Sequence, residues 1–179
     1  LSFDTEASPI KSCLYTDGGN YEAIIIEDGG ARNPFNAESL EIKEYENGIK
    51  RNRLQSILDG SSVFTFGISK APQCVNNLID NFQIDKDAVD FFVFHQANML
   101  MNEKIRTKLK LPEEKVPYIL KDYGNTSSTS IPLTMILKHK NKLEGSENKL
   151  IACGFGVGLS WGAVYFELDK MVCSELIEI

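Results

Sequence analysis

The rhythm of apolar positions changes near residue 62. Before it, short apolar runs alternate with turn chemistry: Asp17-Gly18-Gly19-Asn20, Asp28-Gly29-Gly30, Arg32-Asn33-Pro34 and Asp59-Gly60. Gly supplies positive φ, and Asx side chains bond their own backbone, so these read as turns. Ile10 to Tyr15 and Tyr21 to Ile26 read as short strands between them. Beyond Ser62, Ala71, Val75, Leu78, Ile79 and Phe82 recur at helical spacing, with Phe64, Phe66 and Ile68 leading in. Asp90 to Phe94 (DFFVF) is a continuous apolar run, as in a strand buried on both faces. Met101, Ile105 and Leu109 predict a second helix, punctuated by Pro112, and Val116 to Leu120 a brief extended segment. Ser130 reads as an N-cap, with Pro132 in the first turn of a helix reaching about Leu143. Lys138, His139, Lys140 and Lys142 suit that helix's negative end as cations. Lys149 to Cys153 and Leu159 to Leu168 read as closing strands.

Strands alternating with helices predict an α/β fold, a layered mixed sheet with helices on its faces. Helix-length connections require part of the sheet to be parallel. Function then belongs at the carboxyl ends of strands. Charge narrows the partners. Nineteen Lys and Arg against 25 Asp and Glu give a net charge of −6, which disfavours nucleic acid. No apolar run reaches the ~18 residues of a membrane span, and the N-terminus lacks signal-peptide character. Cys13, Cys74, Cys153 and Cys173 form no CxxC pair, so the expectation is free, mostly buried thiols in a cytoplasmic protein, with no metal site. The chain begins with Leu1, as a processed chain or an excised piece would.

His95 ends the DFFVF run, where an imidazole can exchange a hydrogen bond with a cleft; the plain alternative is a ring satisfied by local backbone. Asn125, in Tyr123-Gly124-Asn125-Thr126-Ser127, carries an amide that can polarise a carbonyl; the plain alternative is an Asx turn. Gly154-Phe155-Gly156-Val157-Gly158 lets backbone approach a ligand. It runs into a strand, whereas a nucleotide loop would open a helix. No serine or cysteine has an evident activating setting, and GxSxG is absent. Lys104, Arg106, Lys108 and Lys110 against Glu103 form a local basic excess, suited to solvent or to an anionic partner. His139 lies among lysines and reads as exposed.

Together, His95-Gln96-Ala97-Asn98, then Tyr123 to Ser127 with Ser130-Ile131-Pro132, then Gly154 to Gly162 resemble the C-terminal half of type III β-ketoacyl-acyl-carrier-protein synthases, of the thiolase-like superfamily. Weaker matches extend this from Tyr15-Thr16-Asp17-Gly18 to Val63-Phe64, nearly the whole chain. The resemblance implies a thiolase-like half over residues 31–179, with 1–30 ending the N-terminal half and connecting to it. It implies a decarboxylative Claisen condensation of an acyl thioester with malonyl-acyl carrier protein, by an acyltransferase of fatty acid biosynthesis. The nucleophilic cysteine would lie in the N-terminal half, so this segment alone would be inactive. His95 and Asn125 would be catalytic, bonding the malonyl thioester oxygen. Gly156, Val157 and Gly158 would form an oxyanion loop, with the Val157 N–H as donor. Arg106 and Lys108 would dock the carrier protein, although Leu100 stands where the family often has Arg. Coenzyme A and acyl-carrier-protein thioesters would be substrates, with no bound cofactor. Partners would be the N-terminal half, acyl carrier protein and, at full length, a second copy in a homodimer. A non-catalytic, partner-dependent subunit and a related acyltransferase of secondary metabolism are the alternatives. The isolated segment should expose an apolar face and self-associate or be poorly soluble.

Overall fold

The computed structural model describes residues 7–177. Along the chain run β1 (Lys11–Thr16), β2 (Ile24–Ile25), β3 (Lys43–Glu44), β4 (Lys50–Arg51), β5 (Ile57–Leu58), α1 (Gly60–Phe82), β6 (Phe91–Phe94), α2 (Met99–Lys108), α3 (Leu120–Tyr123), α4 (Ser130–Gly145), β7 (Glu147–Gly156) and β8 (Ser160–Asp169). The main sheet is ordered β1-β8-β7-β6. β6 pairs parallel with β7, and the other pairs are antiparallel, so the sheet is mixed as expected. The small ribbons β2–β5 and β3–β4 lie outside it. β1, which precedes residue 31, pairs with β8 from Lys11↔Tyr165 to Thr16↔Ser160.

Side-chain alternation along the strands builds two cores. Phe92, Phe94, Ile151, Cys153, Phe155 and Ala163 share one core with the inner faces of α1 and α2. Phe91, Val93 and Leu150 turn the other way, onto Met135 and Leu143 of α4. All four β6 side chains are buried, which explains the unbroken apolar run.

α1 starts at Gly60 because the Asp59 carboxylate accepts from the Ser61 and Ser62 N–H groups and from both hydroxyls. Four such donors hold its pKa down at about 2. Phe64, Phe66 and Ile68 therefore lie inside the helix, not ahead of it. At Gly67 α1 crosses close to α2: an added Cβ would sit 2.6 Å from the Met101 sulfur and 3.0 Å from the Phe155 ring. Pro72 interrupts the helical ladder, having no N–H to give Ile68 O, and the Lys108 ammonium donates to that carbonyl instead (2.9 Å).

Several local expectations change. Tyr21 is not in a strand, because Asp17 caps a 3-10 segment over Gly18–Ala23; only Ile24–Ile25 is extended and paired. Val116 to Leu120 joins no ladder, since the Ile119 N–H donates to the Gln96 side-chain oxygen and Leu120 begins α3. Ser130 does not cap α4, because its hydroxyl is engaged with His95 and Gln96. His139 is half-buried, not exposed, and stacks on Phe91 with centroids 3.6 Å apart. Burial, with Lys142 and Lys138 nearby, lowers its pKa to about 4, so near neutral pH it is not a cation at the helix end. Among the described residues, no helix is long and apolar enough to cross a membrane.

Candidate active site

The parallel pairing of β6 with β7 brings two carboxyl ends together. His95 follows β6 directly, and its N–H extends the ladder to Cys153 O (2.9 Å). The ring therefore sits beside the start of the glycine turn. Its Nδ1 shares a 2.8 Å hydrogen bond with the Ser130 hydroxyl, and its edge meets Phe155, centroids 5.5 Å apart. Burial lowers the imidazole pKa, opposed in part by the Ser127 backbone, so the ring is neutral near pH 7.

The neighbours of His95 hold it. Gln96 is fully buried; its amide donates to Phe94 O (2.9 Å) and accepts from Ile119 N (3.2 Å). Asn98 caps α2 by accepting from Met101 N (2.8 Å). Asn102, also fully buried, donates to His95 O (3.1 Å). Sequence reading missed Gln96 and Asn102 as struts. No local pattern marks them, since Gln96 lies between His95 and Ala97 and Asn102 between Met101 and Glu103.

Asn125 arrives from the loop between α3 and α4. Its carbonyl oxygen accepts from Ser127 N (2.9 Å), forming the expected Asx turn. Because the oxygen is the atom held, the turn aims the side chain and leaves the NH2 group as a donor. Turn and donor are thus compatible readings of one residue.

β7 and β8 close in a turn at Val157 to Leu159, cross-tied where Asp17 N donates to Leu159 O (2.8 Å) and Leu159 N to Asp17 O (2.9 Å). Gly158 has φ +141°, and an added Cβ would lie 2.3 Å from Ser160 Oγ and 2.7 Å from Ser160 N, so only glycine fits. His95, Asn125, Gly156, Val157, Trp161 and Leu14 line one open cleft of about 900 Å³. Gly158 is off its wall and acts by shaping the turn.

Arg106 and Lys108 lie apart from the cleft on α2. The Arg106 guanidinium is only 14% exposed; it pairs with Glu103 (2.7 Å) and Glu113 (3.4 Å) and donates to Leu111 O (2.9 Å). Lys108 serves the Ile68 carbonyl. Both cations are thus engaged within the fold, whereas Lys104 and Lys110 are exposed with no ion pair among the described residues.

All four cysteines are free. Burial raises the Cys153 thiol well above its ordinary pKa, and burial with Cys13 beside it raises Cys74 to about 11. These two thiols stay protonated, the opposite of an activated nucleophile. Among the described residues, no group of three or more His, Cys, Asp or Glu could hold a metal. The arrangement can donate hydrogen bonds to an oxygen held in the cleft, from an imidazole and an amide.

Known proteins share this layout. The profile of the family described as 3-oxoacyl-[acyl-carrier-protein (ACP)] synthase III C terminal matches residues 79–168. The β-ketoacyl-[acyl-carrier-protein] synthase III of Streptococcus agalactiae is 31% identical over 171 residues, covering 94% of this chain and 49% of that protein. A crystal structure of a 3-oxoacyl-(acyl-carrier-protein) synthase III superposes with a TM-score of 0.80 at 29% identity, covering 93% of this chain and 49% of the other. The 3-oxoacyl-(acyl-carrier protein) synthase of Burkholderia xenovorans gives 0.77 at 32% identity, covering 89% and 44%. This chain spans about half the length of these relatives. Fold, sequence identity and family profile agree: the chain belongs to the 3-oxoacyl-[acyl-carrier-protein] synthase III family and carries its C-terminal half.

Proposed function

We propose that this chain supplies the decarboxylation half of a condensing enzyme, which joins an acyl thioester to malonyl-acyl carrier protein with loss of carbon dioxide. The observation that carries the reading is the meeting of His95, Asn125 and the glycine turn in one cleft. As carbon dioxide leaves, negative charge develops on the malonyl thioester oxygen. Donors from His95 and Asn125 aimed at that oxygen stabilise the transition state more than the ground state. A neutral imidazole suits this role, because it donates without presenting a full charge to the substrate.

The attacking cysteine lies outside this chain, in an N-terminal half that packs over the cleft. Leu14 (74% exposed), Leu58 (64%) and Val157 (66%) on the cleft rim support a covering partner, because solvent is a poor neighbour for such a surface. The Val157 N–H is the oxyanion donor for the acyl-enzyme, with Gly156 and Gly158 setting the turn. Residues 1–30 connect the two halves. Carrier-protein docking draws on the basic surface of α2 and the turn after it, where Lys108 joins exposed Lys104 and Lys110. Arg106 shapes that face through its ion pairs. Coenzyme A and carrier-protein thioesters are the substrates, in a cytoplasmic homodimer.

The test uses the intact protein carrying this chain. His95→Ala and Asn125→Ala should each slow malonyl decarboxylation by roughly 100- to 1,000-fold while cysteine acylation continues. Normal decarboxylation in both variants would refute the assignment.

A further inference from the structure

We propose that residues 170–176, the segment after β8, form a strap that fixes α4 along its axis and so positions the end of that helix that meets His95. The family profile stops at residue 168, ahead of this segment. The chain turns at Lys170, φ +47°, and runs back along α4. Met171 N donates to Leu143 O (2.8 Å), one of the end carbonyls that the helix itself leaves open. Cys173 N donates to the Glu144 carboxylate (3.4 Å), and the Glu175 carboxylate pairs with the Lys140 ammonium. Leu176 lines one pocket with Ile136 and Leu137. The contacts thus step from the last turn of α4 toward its middle, over about two turns.

The strap also completes a core. Phe91, Val93, Leu150, Met135, Leu143 and Cys173 form the buried cluster beneath α4, with Phe166, Leu168 and Met171 packed against it. Among the described residues, Cys173 is the one member that comes from neither the sheet nor α4. It is 7% exposed and Val172 before it is 91% exposed, so neighbouring residues face in and out. Ordering the segment costs backbone entropy, which the buried Cys173 and the Met171 hydrogen bond offset. What the strap holds reaches the cleft. α4 begins at Ser130, whose hydroxyl meets His95 Nδ1 (2.8 Å) and accepts from Gln96 N (3.2 Å). A packed helix moves as a unit, so a shift at Leu143 is felt at Ser130, and a hydrogen bond tolerates little displacement.

The test uses the intact protein carrying this chain, once ended at Lys170 and once with Cys173→Asp, which puts a carboxylate into the buried seat. Cys173→Ala, small and apolar, is the control. Amide hydrogen exchange from Leu137 to Leu143 should be on the order of tenfold faster in the first two, and within about threefold of wild type in the control. The His95 imidazole C2 proton, identified by its loss in His95→Gln, should shift in the same two proteins. Decarboxylation should fall about twofold to tenfold in kcat with KM unchanged; this readout alone rests on the functional reading above. Either altered protein decides the matter if the other does not fold. Unchanged exchange in α4 overturns the strap. Faster exchange with the His95 signal unmoved overturns the positioning role, because a merely structural strap would loosen α4 and go no further. Normal decarboxylation in His95→Ala and Asn125→Ala would refute the functional reading, and the exchange and NMR results would still stand for the strap.

Discussion

Lowering the pH should destabilise this chain through His139, a residue outside the cleft. The ring stacks on Phe91, and its Nε2 is buried without a hydrogen-bond partner among the described residues. Its pKa falls from an ordinary 6.5 to about 4, through burial first and then Lys142 and Lys138. Above about pH 6.5 the ring is neutral folded or unfolded, and the stability is fully present. As pH falls below that value, the unfolded chain takes up a proton that the folded chain refuses until about pH 4, so stability drops across this window. By about pH 5 the two pKa values imply a loss of about 2 kcal/mol, which solvent screening of the half-exposed ring reduces to about 1–2 kcal/mol. The assay is urea unfolding of the 179-residue chain at about pH 7 and pH 5, beside His139→Leu. Leu keeps an apolar contact with Phe91 and cannot titrate. Wild type should lose about 1–2 kcal/mol more than the variant over that interval. The chain has two histidines, so the imidazole C2 proton of His139 can be followed directly. A His139 midpoint near 6.5, or equal losses in both proteins, would refute the argument.

Decarboxylation by the intact protein should be level through neutral pH and fall only below the usual histidine range, because burial depresses the His95 pKa; a decline setting in above that range would contradict a neutral donor. Gly158→Ala should cost about 1–3 kcal/mol from its φ of +141° and the clash with Ser160, read as a shift in the urea midpoint; an unchanged midpoint would mean that the turn tolerates a side chain. Arg106→Met should lower stability by about 1–3 kcal/mol, since it strips a donor from the buried Leu111 carbonyl, and carrier-protein affinity should change little. If affinity falls and stability does not, Arg106 contacts the carrier directly.

The elements legible in the sequence were those whose pattern answers to a single environment. Phe91 to Phe94 is apolar without a break because β6 is covered on both faces, whereas the closing strand β8 alternates buried with half-buried or exposed positions. Phe64, Phe66 and Ile68 were placed ahead of the helix because their alternate spacing does not follow the helical period, although Asp59 ahead of Ser61 and Ser62 is a helix-start signal. Val116 to Leu120 misled for a different reason. Its backbone bonds to the Gln96 side chain, a partner more than twenty residues away in sequence. His139 looked exposed among lysines because no local pattern reveals an aromatic ring from another element beneath it. Ser130 had the composition of a cap, but tertiary contact gave its hydroxyl to His95.

The same contrast explains why the cleft could be located in the sequence while the network behind it could not. His95 and the glycine turn are conspicuous because each follows a strand, and the parallel pairing of β6 with β7 makes both strands end on one edge. Reversing one of them would move His95 to the far end of a four-residue strand, about 13 Å from the turn. Parallel pairing requires a long connection, and that connection contains α2, the Asn125 loop and α4. The segment needed to return the chain for a parallel pair therefore also brings in the second donor, Asn125, and the buried serine that holds the first. Gln96, Asn102 and Ser130 are struts rather than donors to a ligand, and their identities depend on where that crossover places them. Donors to the cleft mark themselves by position at the end of an element, and the groups that aim them become visible only when the crossover has closed.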